Sequence, residues 1–295
     1  MEADHESMAR ALEATGNYRV LRRLTPRPAI SAPTTAGARL ALYVDVETTG
    51  LDARQDEIIE LAMVPFWYGS DGEVLGSGEP FQAFNEPSRP ISPQIQALTG
   101  ITNEMVSGHR IDLSAVIAMA SQAVLVVAHN AAFDRRFLER LAEVFTTKAW
   151  ACSMSQVDWS ADGHEGVKLG YLAEGRGFFY DRHRAVNDCF AAIELLALPL
   201  RHGGGFAMAE LLKRARAPTW RIWAEHSPFD LKARLKARGY RWNAEAVATP
   251  RAWYVDVDQG DLESELAFLK SEIYQREIDL LVRRIDAHDR FSDRC

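Results

Sequence analysis

Two acids close an apolar run that reads Leu-Ala-Leu-Tyr-Val-Asp-Val-Glu-Thr-Thr-Gly-Leu from Leu40 to Leu51. They are Asp45 and Glu47, and Thr48-Thr49-Gly50 then breaks the strand. Side chains alternate faces along a strand that rises about 3.3 Å per residue, so both carboxylates share one face, roughly 7 Å apart at their Cα atoms. Burying two unpaired carboxylates is costly unless something compensates them. A divalent cation is the natural compensation. The alternative is a pair of acids at a solvated strand end with an ordinary turn behind them.

The neighbouring elements bring further chemistry to strand ends and helix starts. Ala123–Ala128 reads as a buried strand and ends in His129-Asn130-Ala131-Ala132-Phe133-Asp134. Asn130 is placed to N-cap a helix running through Leu141, with Asp134 in its first turn. Sites in α/β proteins gather at such strand ends, although an acid there also suits the helix dipole. Asp181-Arg182-His183-Arg184-Ala185-Val186-Asn187-Asp188 precedes an apolar helix from Cys189 to Leu198, with Asp188 in its first turns. His183 is five residues earlier and belongs to the preceding loop. It is free to swing there, or simply solvated.

In this order the three blocks resemble the DEDDh exonucleases of the ribonuclease H-like superfamily, the group that includes the proofreading epsilon subunit of bacterial DNA polymerase III. The blocks are Asp45-Val46-Glu47-Thr48-Thr49-Gly50-Leu51, His129 to Asp134, and His183 with Asp188. The histidine marks this branch; the tyrosine branch would carry Tyr where Arg184 stands. The resemblance covers about Arg39 to Leu200. It implies a mixed sheet flanked by helices, with Asp45, Glu47, Asp134 and Asp188 holding two divalent cations. An all-carboxylate donor set favours Mg²⁺ or Mn²⁺ over zinc. It further implies that His183 is the general base, a role that imidazole, titrating at about 6.5 in its ordinary form, suits. Thr48, Leu51, His129, Asn130 and Phe133 would meet the terminal nucleotide, though Leu51 and Phe133 also read as core residues. The implied reaction is 3′–5′ release of nucleoside 5′-monophosphates from single-stranded nucleic acid, DNA favoured over RNA. An RNA exonuclease and a weakly active binding or polymerase-associated subunit are the alternatives.

The rest of the chain divides around this domain. Residues 1–37 read as an arm with a short helix near Met8–Ala14 and a Pro-rich linker over Thr25–Gly37. Residues 38–200 form the exonuclease-like unit. Within it, Glu57–Tyr68 and Glu73–Phe84 read as strands of a meander, and Ile91–Leu98, Leu113–Ser121 and Leu169–Leu172 as helices. His202-Gly203-Gly204-Gly205 is a break, and 206–258 reads as a small α+β module. Its elements are a helix over Ala207–Ala215, a strand over Thr219–Ala224, and a helix capped by Ser227 and Pro228 that ends at Gly239. A hairpin over Tyr240–Val255 completes it. Between Lys213 and Arg251 lie ten bases against three acids, interleaved with Trp220, Trp223, Tyr240, Trp242 and Trp253. That charge is an electrostatic footprint for nucleic acid, and exposed aromatics can stack on bases. A module this small also needs aromatics for its own core. The basic helix face of Lys232, Arg234, Lys236 and Arg238 is harder to assign to packing. Residues 261–290 read as a helix whose leucine stripe packs back on the chain or meets a second copy or a polymerase partner.

Composition limits the class. The chain is 47% hydrophobic, enough for one sizeable core and a smaller one. A net charge of −7 argues against coating nucleic acid by bulk charge. Cys152, Cys189 and Cys295 fit neither a disulfide framework nor a zinc site, which suggests a reducing, cytoplasmic setting. The acidic N-terminus is unlike a signal peptide, and no apolar run is long enough for a membrane span.

Overall fold

The run ending in Asp45 and Glu47 forms the middle of the main sheet. The computed structural model describes residues 4–244 and 249–294. Glu245 and Cys295 therefore lie outside the described residues. In chain order the arm carries α1 (His5–Ala14) and β1 (Arg22–Arg23). The first half of the main unit carries β2 (Arg39–Thr48), β3 (Ile58–Tyr68), β4 (Val74–Ser77), β5 (Phe81–Phe84), α2 (Pro93–Thr99), α3 (Asn103–Val106) and α4 (Leu113–Gln122). Its second half carries β6 (Leu125–Ala128), α5 (Ala131–Leu141), β7 (Trp150–Cys152), α6 (Leu169–Gly175), β8 (Phe178–Phe179), α7 (Ala185–Ala197) and α8 (Ala207–Arg216). The remainder is β9 (Thr219–Ala224), α9 (Lys232–Ala237), β10 (Arg241–Trp242), β11 (Trp253–Asp258), α10 (Leu262–Phe268) and β12 (Val282–Ile285).

The main sheet runs β4-β3-β2-β6-β7, with β5 also paired to β3. β2 is antiparallel to β3 and parallel to β6, so the sheet is mixed, as expected. Its two faces are covered by different helices. Ala41 and Tyr43 face a core with α7 and α8, and Leu42, Val44 and Val46 face one with α4 and α5. Asp45 and Glu47 continue the Ala41–Tyr43 row and hence lie under the start of α7.

Several local expectations are corrected. The strand expected over Glu73–Phe84 is two, because Gly78 and Pro80 break it; both pieces pair with β3. Asn130 precedes α5 but makes no side-chain cap, since it is in the left-handed region at φ 85°. Ser227 does not cap a helix either: a short turn over Phe229–Leu231 comes first and α9 begins at Lys232. The arm packs on the main unit, with β1 parallel to β8. Its arginines are solvent-exposed and pair with exposed acids, Arg22 with Glu6 and Glu13, and Arg23 with Asp181.

The boundary expected at residue 206 moves. Ala207, Met208, Leu211 and Leu212 of α8 are buried in the main core, so the module's own sheet begins only at β9. That sheet is antiparallel in the order β10-β11-β9-β12. The helix expected to fill 261–290 stops at Tyr274 after a wide turn, where Gln275 turns left-handed at φ 52°. The chain then returns as β12 against β9. The leucine stripe packs inward, Leu269 and Ile273 being buried beneath the module's sheet. Beyond β12 the chain crosses back to the main unit, where Trp150 donates its backbone N–H to Ala287. Fully buried Arg135 donates to the carbonyls of His288 and Arg290 at 2.6 Å. No helix among the described residues is long and apolar enough to cross a membrane.

Candidate active site

Three of the four predicted acids converge. Asp45, Glu47 and Asp188 each present a carboxylate oxygen within 4.8 Å of the others. Asp188 arrives from the first turn of α7, which is seated on β2 and β3 by Cys189, whose thiol points at the carbonyls of Tyr43 and Ala62. Asp134 stands beside this group rather than in it. β6 pairs with β2 only as far as Tyr43, which leaves the β2 edge open beyond that point. A buried N–H needs a partner, and Asp134 Oδ1 accepts the one from Val46 at 3.2 Å. The same carboxylate thus braces the strand that carries Asp45 and Glu47.

The electrostatics of the group are those of an anion cluster short of counter-charge. Burial pushes Asp45 well above the ordinary carboxylate range, and Asp134, Asp188 and Glu47 add like charge. Burial, with Asp188 and Glu60, raises Glu47 to about 7, Arg184 opposing. Burial likewise raises Asp134 to about 8, and it raises Asp188 against the Tyr180 hydroxyl. Asp188 Oδ1 accepts that hydroxyl at 2.7 Å, while its buried Oδ2 has no hydrogen-bond partner. A buried carboxylate oxygen without a partner, on a residue grouped with two other carboxylates, fits a hard cation.

His183 lies in the loop before α7, exposed, at φ 60°. Its ring makes no hydrogen bond among the described residues. Leu51 is 85% exposed, which removes the core alternative for it. The loop that holds it out is braced by Asp56, whose carboxylate accepts from Thr49 Oγ1 and the Asp52 N–H. A Cβ at Gly50 would sit 2.5 Å from that carboxylate, so the turn needs glycine. Thr48 is buried, its hydroxyl donating to the Gly50 carbonyl. Phe133 is partly buried, its ring 5.0 Å from that of Phe137, and it serves the core in part.

His129 is more tied down than expected. Its Nε2 lies 2.7 Å from the Val167 carbonyl and must donate to it. Nδ1, 2.9 Å from Ser153 Oγ, is then the acceptor, and Tyr43 donates its hydroxyl to Ser153 in turn at 2.7 Å. Burial lowers the imidazole to about 4, which keeps this ring neutral. Both nitrogens are engaged within the protein, so only its ring edge and face are left for a ligand. Asn130 is exposed beside it.

Two supporting residues escaped sequence reasoning. Tyr180 is one, eight positions before its partner Asp188 with no local signal of the link. The other is Glu60, directly across the β2–β3 ladder from Glu47. It is fully buried and accepts from Arg184 at 3.0 Å, the Ala185 N–H at 3.1 Å and Gln82 at 2.6 Å. Arg184, the position where the other branch carries tyrosine, is therefore spent on tying β3 to the start of α7. Arg184 is itself partly exposed, so the cost of Arg184→Ala is that of a buried acceptor losing one donor, about 1–3 kcal/mol in a denaturant melt, with Glu60 keeping two other donors. An unchanged midpoint would remove this pair from the account of how α7 is placed.

The exonuclease family model matches residues 42–196, just over half of the chain. The DNA polymerase III PolC-type protein of Latilactobacillus sakei is 45% identical over 97 residues, 32% of this chain and 6% of that protein. Its counterpart in Clostridium perfringens is 35% identical over 159 residues, 52% of this chain and 10% of that protein. The chain thus spans a tenth or less of the length of these curated relatives. Among solved structures, E. coli exonuclease I in complex with a dA16 oligonucleotide gives a TM-score of 0.50 at 14% identity, covering 79% of this chain and 71% of that one, a likeness of fold.

Proposed function

The chain belongs to the exonuclease family, and from that premise we propose that it removes nucleotides from the 3′ ends of single-stranded DNA as nucleoside 5′-monophosphates. The observation that carries this reading is the cluster of Asp45, Glu47 and Asp188 with its orphaned Oδ2. These three, joined by Asp134, would hold two Mg²⁺ or Mn²⁺ ions, since every donor is a carboxylate oxygen. Bound there, the ions supply Lewis-acid activation of the attacking water and stabilisation of the leaving oxygen. His183 takes the proton of that water, its exposed loop position and unengaged ring supporting the role. The Thr48 backbone and Glu47 meet the 3′ hydroxyl, which restricts attack to strand ends. Leu51 packs on the terminal base from its exposed turn, and Asn130, the His129 ring and Phe133 border the nucleotide. DNA is preferred over RNA on the strength of the relatives, which are named as DNA polymerases. A polymerase partner is proposed on the same ground. The buried free thiols of Cys152 and Cys189 support a cytoplasmic setting.

The test is degradation of 3′-ended single-stranded DNA and RNA of one sequence with Mg²⁺ or Mn²⁺, beside Asp45→Ala. Metal-dependent loss from the DNA 3′ end, absent in the variant, is expected. Faster loss from RNA would move the protein to RNA processing. Tight binding without cleavage would make it a binding subunit.

A further inference from the structure

The basic face expected to meet nucleic acid is largely used up. Arg234 pairs with Glu272 at 2.5 Å and Arg238 with Glu265 at 2.6 Å, both acids coming from the helical segment between β11 and β12. Lys232 lies over the Phe229 ring and Lys236 over that of Trp253. Positive charge from both the module and the main unit meets in a cleft of about 1270 Å³ between the β9–β11 sheet and α5. That exceeds the roughly 300–1,000 Å³ of small-molecule pockets and suits an extended ligand.

Seven cationic and three anionic side chains line the cleft. Several are paired, Arg136 with Asp293, Arg214 with Asp158 and Glu210, and Arg221 and Arg241 with a shared Asp256, so the excess of positive charge is smaller than the lining count. Lys213 is exposed and has no ion pair among the described residues. Trp242, 47% exposed, is the aromatic most open to a base, with Trp253 packed edge-on behind it at 5.5 Å. One end of the cleft is built by Arg54 and Ala132. Arg54 is on the turn that carries Leu51, and Ala132 and Arg136 present one face of α5, the side away from Asp134. The cleft therefore reaches the Leu51 turn, which is its link to the proposed 3′-end site. Its walls are fixed to one another, because Arg290 donates to the carbonyls of Ala215 and Ala217 while its own carbonyl accepts from Arg135.

We infer that this cleft is a second, sequence-independent binding site for single-stranded DNA, holding the nucleotides behind the 3′ end that the acid cluster receives. The inference rests on the proposed 3′-end reading for its direction. Phosphates run along Lys213 and Arg241, and a base stacks on Trp242. The exonuclease family match ends at residue 196, and most of the lining, including Lys213, Arg241 and Trp242, lies beyond it.

The test is fluorescence anisotropy of labelled oligo-dT in EDTA, with the full chain. Strands of about four and about twenty nucleotides bracket the roughly 4–16 that single-strand grooves cover. The long strand is expected to bind at least about ten-fold tighter. Trp242→Ala should reduce that affinity about ten-fold, with a much smaller loss on the short strand. Lys213→Ala, at an exposed position where folding is not at risk, should make the salt dependence of long-strand binding shallower by about 0.7 per decade. Equal affinity for the two lengths, or long-strand binding and salt dependence unaltered in both variants, would overturn the inference. Cleavage of the short strand by the unaltered protein with Mg²⁺ tests the 3′-end reading separately. Length-dependent binding without cleavage keeps the cleft and sinks that reading; cleavage without length dependence does the reverse.

Discussion

A His183→Ala variant is expected to lose turnover by about 10²- to 10⁴-fold, the usual worth of a positioned general base, while binding Mn²⁺ as the unaltered protein does. The structure separates the two effects. His183 is exposed and its ring makes no hydrogen bond among the described residues, its interaction with Asp188 being one of charge alone, so truncation removes no packing contact on which the fold depends. Asp188 keeps the Tyr180 hydroxyl, and Glu60 keeps Arg184 at the start of α7. The backbone at position 183 is left-handed, at φ 60°, which is strained by about 1–2 kcal/mol for most side chains but tolerated by asparagine. His183→Asn is therefore the second variant. It keeps the loop geometry without a base of imidazole strength, and the same loss of turnover in both ties the effect to proton transfer. Metal binding is read by calorimetry and turnover by release of mononucleotide. Near-unaltered turnover in either variant would remove His183 from the mechanism.

The site was legible because each of its acids is anchored to a local pattern. Asp45 and Glu47 follow from the alternation of an apolar strand, and Asp134 and Asp188 from the first turns of helices that open after clear loops. Period and punctuation are written within a dozen residues, and the structure follows them at β2, α5 and α7. What was not legible is what long-range pairing decides. Glu60 has its fate set by Arg184, more than a hundred residues away. The basic face of α9 looked free because its partners, Glu265 and Glu272, come after the charged stretch rather than within it. β12 looked helical because Leu281 and Ile285 extend the leucine spacing of α10. The free edge of β9 captures the segment as a strand instead, after the left-handed turn at Gln275 has ended the helix.

Asp45→Asn should abolish hydrolysis and, without metal, make the protein more stable at about pH 8. Both follow from the carboxylate cluster. In the metal-free fold Glu47 titrates at about 7 and Asp134 at about 8, with Asp45 and Asp188 also raised. In the unfolded chain such groups titrate near 4. Between those limits the folded state holds protons that the unfolded state has released, so stability falls as pH rises through the window. For Glu47 alone the loss is on the order of 3 kcal/mol. Metal-free protein should accordingly melt several degrees lower at about pH 8 than at about pH 5.5. Mg²⁺ or Mn²⁺ favours the ionised carboxylates and binds only the folded state, so the melting temperature should rise with added metal, and more at the higher pH. Asparagine at position 45 removes a carboxyl that the metal-free fold must either bury charged among Asp134, Asp188 and Glu47 or hold protonated against the unfolded chain, which stabilises that fold and weakens the response to metal. A metal-free melting temperature that climbs between about pH 5.5 and about pH 8, or an asparagine variant less stable than the unaltered protein at the upper end, would mean that the cluster is not short of counter-charge. The case for a cation site would fall with it. The opposite pattern would tie the protein's function to a fold strained by its own active site, in which the groups needed for hydrolysis are those that the metal-free chain is more stable without.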